Sequence, residues 1–315
     1  MSLAPYRDPE AREAAVDELA ARLGGELVVY GESVEGRPLR ALRVPALRPS
    51  APRVVIGANI HGVEWIGAHV VLELLARLAA GAPEVAPLRA AEVWAIPCIN
   101  PDGYARTAAQ GGIGELPQLR ANARGVDLNR NYPLPPGATP SRLPAAGSPR
   151  PGAPTYRGPH PLSEPESERL AALLAAIRPR AGLNLHSFMG TVIPASVRDR
   201  PCYAAYRRLC AAFAGAQEST RYRRLASRIF DVFTGEQEDH QHHNLDCWAA
   251  CVEVFPVLAS YRQHLRAPSL FWRFNPRDPD VWAANDIPGI VAFLSAALAL
   301  PRPSELSPQA LASAD

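Results

Sequence analysis

The sequence predicts an α/β protein, a single domain of three α/β/α layers built on a mixed, mostly parallel central sheet. Short apolar runs alternate with longer amphipathic segments along most of the chain, which is the pattern of parallel strands joined by crossover helices. At 315 residues and 47% hydrophobic composition, the chain can bury one large core. Turn-forming residues punctuate the runs, and no internal repeat breaks the alternation.

Taken in order, the segment 1–24 carries Arg7, Asp8, Glu10, Arg12, Glu13, Asp17 and Glu18 and predicts a charged amphipathic helix over about 8–23. It lacks the apolar centre of a signal peptide, so a cytoplasmic location is expected. Residues 26–30 and 39–44 predict a strand pair flanking Gly36, and 53–59 a buried parallel strand. A helix over about 64–80 follows, with Ile66, Val70, Val71, Leu74, Leu75 and Leu78 on one face. Next come a strand at 92–96 and a tight reversal at Asn100-Pro101-Asp102-Gly103. Residues 133–161 are rich in Pro, Gly, Ser and Ala and predict an irregular surface loop, a lid or an entrance wall. Ser163 and Glu166 fit a capping box opening a helix to residue 177. Strands at 181–185 and 251–255, with helices near 203–215 and 285–298, complete the pattern.

Bulk charge narrows the function. The formal net charge is +2 and no lysine occurs, so every positive side chain other than histidine is arginine. That balance gives no support for nucleic-acid binding. The longest apolar run, near 290–300, is too short and too alanine-rich to predict a membrane span. Five cysteines, an odd number scattered through predicted strands and helices, argue against a disulfide framework and for buried, reduced thiols. Cys247 and Cys251 stand near His242 and His243, but their spacing matches no strong zinc pattern and reads as core cysteine.

The chemistry centres on His61 and Glu64, placed three residues apart where an apolar strand gives way to a helix. His186 follows another predicted strand in Asn184-Leu185-His186-Ser187. Ligands in open α/β sheets gather beyond the carboxyl ends of the strands, so these three can form a two-histidine, one-carboxylate set with a fourth position open, as in a catalytic zinc site holding one ion. Zinc lowers the pKa of water from 15.7 to roughly 7 and polarises a carbonyl. Glu253, an ionisable group in an otherwise apolar strand, is the candidate general base and then acid, with a buried arginine pair as its bland alternative. Arg120 and Arg124 precede the donor-dense segment 125–132, which contains Asn129 and Arg130 and suits an anionic substrate end. One of these arginines can also stabilise an oxyanion.

His61-Gly-Val-Glu64, Asn100-Pro-Asp-Gly103, 120–131, His186 and Glu253 stand in the order found in zinc carboxypeptidases of the carboxypeptidase A type, and the chain resembles that family over roughly 32–256. Within it, Arg120-Ala-Asn-Ala-Arg124-Gly-Val-Asp-Leu-Asn-Arg130-Asn131-Tyr-Pro and Ser163-Glu-Pro-Glu166 are most similar to bacterial murein peptide amidases. The resemblance implies the zinc-carboxypeptidase fold. It implies His61, Glu64 and His186 as zinc ligands, Asn129 and Arg130 as the grip on a terminal carboxylate, Arg120 as the oxyanion partner and Glu253 as the catalytic carboxylate. The choice of Arg120 over Arg124 comes from the resemblance alone. One departure stands out: digestive members carry a mobile tyrosine upstream of the catalytic glutamate, whereas 231–245 contains none. Instead, 236–243 reads Glu-Gln-Glu-Asp-His-Gln-His-His, which predicts a solvated loop; the functional alternative is that Glu236, Glu238 or Asp239 receives a substrate ammonium group.

The expected function is a zinc metallocarboxypeptidase or amidase that hydrolyses an amide next to a free carboxylate in a small peptide, of murein type in the narrower reading. An N-acyl amino acid deacylase of the succinylglutamate desuccinylase and aspartoacylase type is the alternative. A non-catalytic peptide-binding module is a third class, against which the intact Glu253 speaks.

Overall fold

The structure is a computed structural model and describes residues 2–135, 137–139, 146–226, 234–256 and 261–306. Asp8 starts the first helix, α1 (Pro9–Leu23), by accepting a hydrogen bond from the Ala11 N–H at 2.8 Å, and Gly24 ends it in the left-handed region at φ 60°. The elements β1 (Glu26–Glu32), β2 (Pro38–Val44), β3 (Arg53–Ala58), α2 (Trp65–Ala79) and β4 (Glu92–Ile96) follow. Next are α3 (Pro101–Ala109), α4 (Leu116–Arg120), α5 (Pro165–Ile177), β5 (Ala181–Ser187), β6 (Thr191–Pro194), α6 (Arg200–Ala216) and β7 (Arg223–Arg224). The chain ends in α7 (Gln237–His243), β8 (Trp248–Val254), α8 (Tyr261–Arg266), α9 (Phe271–Phe274), α10 (Pro279–Leu298) and α11 (Pro303–Leu306).

The strands form one sheet in the order β1-β2-β4-β3-β5-β8-β6-β7. Its centre, β4-β3-β5-β8, is parallel, while β1 with β2, β2 with β4 and β6 with β8 pair antiparallel. Period-two alternation divides the central strands between two unlike layers. Leu183 and Leu185 of β5, with Trp248, Ala250, Val252 and Val254 of β8, join the large core formed with α1, α2, α6 and α10. Each large side chain fully buried there contributes roughly 1.5–3 kcal/mol. The alternate positions Gly182, Asn184 and His186 pair with Ala249, Cys251 and Glu253 and face the other layer. Polar chemistry and small residues thus share one side of otherwise apolar strands. A second core beneath α5, including Val55, Ile96, Leu170 and Leu174, closes that side away from the site.

Phe271–Leu298 is long and apolar enough to cross a membrane by composition, although the sequence reading found no such segment. In this fold, Ile287, Ile290, Phe293 and Leu294 are fully buried in the core, and α10 packs on α6 and α2.

Four other expectations need correction. Asn100-Pro101-Asp102-Gly103 opens α3 instead of reversing the chain: Asn100 Oδ1 accepts from the Gly103 N–H at 2.8 Å, and Pro101 suits the first helical position. The capping box does not form, because Pro165 shifts the helix start to Glu164, while Glu166 accepts from Val34 N and Asn122 Nδ2. Strand β5 runs through His186, placing that residue in the ladder instead of beyond it. Residues 237–243 form a helix whose Gln237, Glu238, Asp239 and Gln241 are all buried, so the solvated-loop reading is wrong. The polarity of α7 matches the polar sheet layer that it covers. Of the Pro/Gly-rich segment 133–161, residues 136 and 140–145 lie outside the described residues, as do 231–233 of the stretch without a tyrosine.

Candidate active site

The loop between β3 and α2 turns at Asn59, which adopts φ 56° and donates from Nδ2 to the carbonyls of His61 and Glu64 at 3.0 and 3.2 Å. Gly62 packs directly on α3: a Cβ there would stand 2.5 Å from the Gly103 carbonyl carbon, so this position tolerates no side chain. Glu64 occupies the N-cap position of α2 without capping it. A distant residue does so instead. Asn275 Oδ1 accepts from the N–H groups of Trp65 and Ile66 at 2.8 and 2.9 Å, and its Nδ2 donates to the Val63 carbonyl at 2.8 Å. The Glu64 carboxylate is thereby left free for other work.

That carboxylate meets two imidazoles. His61 Nδ1 lies 2.8 Å from Glu64 Oε1, His186 Nδ1 lies 3.1 Å from Glu64 Oε2, and the two Nδ1 atoms are 3.2 Å apart. All three residues are buried, and the trio forms one of the groups able to hold a metal ion. On its far side, His61 Nε2 faces Asp127 Oδ1 at 3.1 Å. A carboxylate accepts only, so Asp127 favours a proton on Nε2, and with a cation among the trio Nδ1 would turn its lone pair inward. Two imidazole Nδ1 atoms and a carboxylate therefore converge, a donor set that fits a divalent cation.

Asp127 was not singled out in the sequence, although it lies in the donor-dense segment. Burial opposes its charge, but Arg120 and His61 hold it well below the usual carboxylate range. Its Oδ2 accepts from Arg120 Nε at 2.9 Å, and Arg120 Nη1 stands 3.7 Å from Glu64 Oε1. Arg120 thus overlooks the metal trio, whereas Arg124 is an exposed residue near Glu164.

Glu253 sits across from His186 in the β5–β8 ladder. Burial and the nearby Glu64 charge push its carboxyl up to about 7, against the pull of His61 and Arg120. Below it, Cys251 lies close enough to join His186 and Glu253 in a second potential metal group. Burial, reinforced by Glu238 and Glu253, keeps that side chain a protonated thiol and a poor ligand. The Cys247 and Cys251 pairing with His242 and His243 is not among the metal-holding groups of the described residues; His242 Nδ1 instead meets Tyr206 OH at 2.9 Å.

Asn129 and Arg130 enter a polar network. Asn129 Oδ1 accepts from Gln237 N at 2.9 Å, satisfying the start of α7, while Arg130 Nη1 donates to the Asn129 carbonyl at 2.6 Å and pairs with Glu236 at 3.1 Å. Arg130 therefore neutralises Glu236. Glu238 is buried beside Asn184, and Asp239 accepts from Ser196 N at 2.7 Å. Of the remaining histidines, His69 meets Asp280 at 2.8 Å, His160 faces its neighbour's carbonyl, and His264 packs on Phe188.

A carboxyl-edge site with two histidines, one carboxylate ligand and a further buried carboxylate is the arrangement of a mononuclear metal hydrolase. The zinc carboxypeptidase family model matches residues 13–256, and the chain belongs to that family. Human carboxypeptidase D is 33% identical over 164 residues, covering 41% of this chain and 12% of that protein. Thus the chain spans a small fraction of that relative's length. Metallocarboxypeptidase A of Trichophyton tonsurans is 27% identical over 300 residues, covering 88% of this chain and 67% of the relative. Among solved structures, carboxypeptidase A from Helicoverpa armigera superposes with a TM-score of 0.75 at 22% identity, covering 95% of this chain and 75% of that one, a likeness of fold. Zinc is the metal of this family, and His61, Glu64 and His186 are the residues placed to hold it.

Proposed function

We propose that the chain acts as one catalytic domain, a zinc-dependent metallocarboxypeptidase that hydrolyses an amide next to a free carboxylate in a small peptide. The observation that carries this reading is the registration of Glu253 beside His186 on the polar face of the sheet, next to the donor trio. A zinc ion bound to His61, Glu64 and His186 would supply Lewis acidity and make water a competent nucleophile near neutral pH. Glu253 takes the proton of the attacking water and returns it to the leaving amine. Arg120, fixed by Asp127, offers its guanidinium to the oxyanion. Arg130, with Asn129 beside it, is the candidate grip for a terminal carboxylate, which would compete with Glu236 for the guanidinium.

The narrower proposal is a murein-type peptide, supported by the segment 120–133 and by Ser163-Glu-Pro-Glu166. A cytoplasmic setting belongs to the same proposal, since all five cysteines are free and buried, as suits a reducing compartment. A panel of free-acid peptides, their C-terminal amides, a γ-D-glutamyl-diaminopimelate tripeptide and N-acyl amino acids tests the reading. Cleavage of the free acids but not the amides is expected. Turnover confined to acyl amino acids would transfer the site to the deacylase class, and binding without turnover to a peptide-binding module.

A further inference from the structure

Resting on the peptidase reading above, we propose that Asn100 is a positioning residue, whose side-chain amide sets Arg120 against His61 by tying together the two loops that carry them.

Capping α3 uses only one end of that amide, since Oδ1 alone accepts from the Gly103 N–H at 2.8 Å. The other end faces the site loops. Nδ2 donates to the Ile60 carbonyl and to the Ala121 carbonyl, each at 3.2 Å. Ile60 immediately precedes His61, and Ala121 immediately follows Arg120. One NH2 group, with a proton for each carbonyl, therefore spans the metal loop and the arginine loop. Asn100 is fully buried, so the tie is made away from competing solvent.

Neighbouring contacts put α3 between the two loops as a bracket. Thr107 Oγ1 donates to the Gly62 carbonyl at 3.1 Å, while Arg106 Nη2 donates to the carbonyls of Ala121 and Asn122. Thr107 thus reaches the first loop and Arg106 the second, whereas Asn100 reaches both. The loops also meet directly, through the Gly62 N–H donating to the Arg120 carbonyl at 3.1 Å. Glycine at 103 leaves the amide its place, because a Cβ there would stand 2.6 Å from Asn100 Nδ2.

Asp127 holds the Arg120 guanidinium at 2.9 Å, and Asn100 holds the backbone that carries it. Both are needed for an oxyanion donor to stand where charge develops. A misplacement of about 1 Å can cost on the order of a hundredfold in rate.

The test uses Asn100→Asp and Asn100→Ser, which keep an oxygen to cap α3 but lose the paired donors. With zinc-loaded protein and a free-acid peptide, kcat per bound zinc should fall roughly tenfold to a hundredfold while KM stays nearly unchanged. When Arg120→Gln is already present, Asn100→Ser should lower kcat by about twofold at most, because nothing is left for the tie to position. A wild-type kcat in both variants, or full additivity with Arg120→Gln, would overturn the proposal. If wild type cleaves no peptide, the peptidase reading has failed and the tie is judged separately, by amide hydrogen exchange in wild type and Asn100→Ser. Exchange of the Gly62 N–H roughly tenfold faster in the variant, with α2 still protected, sustains the tie. Unchanged Gly62 protection, or a loss shared equally by α2, removes it.

Discussion

Asp127 stands directly behind His61, its Oδ1 3.1 Å from His61 Nε2, and so favours a proton on the nitrogen that faces away from the trio. The same carboxylate receives Arg120 Nε at 2.9 Å, so one buried acid orients both a metal-site histidine and the arginine that overlooks the trio.

Asp127→Asn should therefore weaken zinc binding about 10–100-fold, because the amide cannot accept from both neighbours. Competition against a chromogenic chelator reads this directly. Wild-type zinc affinity in the variant would show that His61 needs no such support.

Glu253 predicts the acid limb of the rate profile. Its carboxyl is pushed up to about 7, and a general base works deprotonated, so kcat/KM should be lost as pH falls through that value. A cation at the trio pulls the limb lower, toward but not below the ordinary carboxylate value of about 4.3. An acid limb above 7 in the zinc-loaded protein would contradict this assignment.

Asn275 predicts long-range dependence of the metal loop. Asn275→Ala removes two accepted and one donated hydrogen bond around the start of α2, and one donated to the Phe271 carbonyl. The expected loss is roughly 2–4 kcal/mol of stability, from a lost cap together with unsatisfied backbone groups. Denaturant unfolding at constant m-value measures it, and a change below about 0.5 kcal/mol, the size usual for surface substitutions, would refute the capping role.

Asp286 gives stability a pH slope. Burial pushes it up to about 7, overcoming the donors Asn285, Tyr222 and Gln217 that favour its charge. Its folded pKa lies above an unfolded value near 3.9, so the native state holds the proton more tightly and this contribution fades as pH rises from about 4 through 7. Asp286→Asn should then gain stability relative to wild type between pH 5 and pH 8, by a few kcal/mol at most. A constant difference across that interval would place the folded pKa elsewhere.

Much of this arrangement was legible in the chain because strands repeat every two residues. Glu253 stood out as an acid among apolar neighbours, and its alternate position is the polar face shared with His186. His61 and Glu64 were visible because local spacing alone brings them together. Partners set by tertiary structure were not visible: Asn275 lies 210 residues from the Trp65 N–H that it caps. Asp127 was hidden among neighbouring donors. The α7 sequence misled for a clear reason, since polarity normally signals solvent, but here it faces Asn184, Gly182 and Gly57 instead of an apolar sheet layer. The short strands β6 and β7 at one end of the sheet likewise had no periodicity long enough to read.

The central claim is tested most directly by mass spectrometry of free-acid peptides incubated with zinc-loaded wild type and Glu253→Gln, with bound zinc measured in both. Wild type should release a single C-terminal residue, while Glu253→Gln should keep one zinc per chain and lose nearly all turnover. A Glu253→Gln protein that retains both zinc and wild-type turnover would contradict the account.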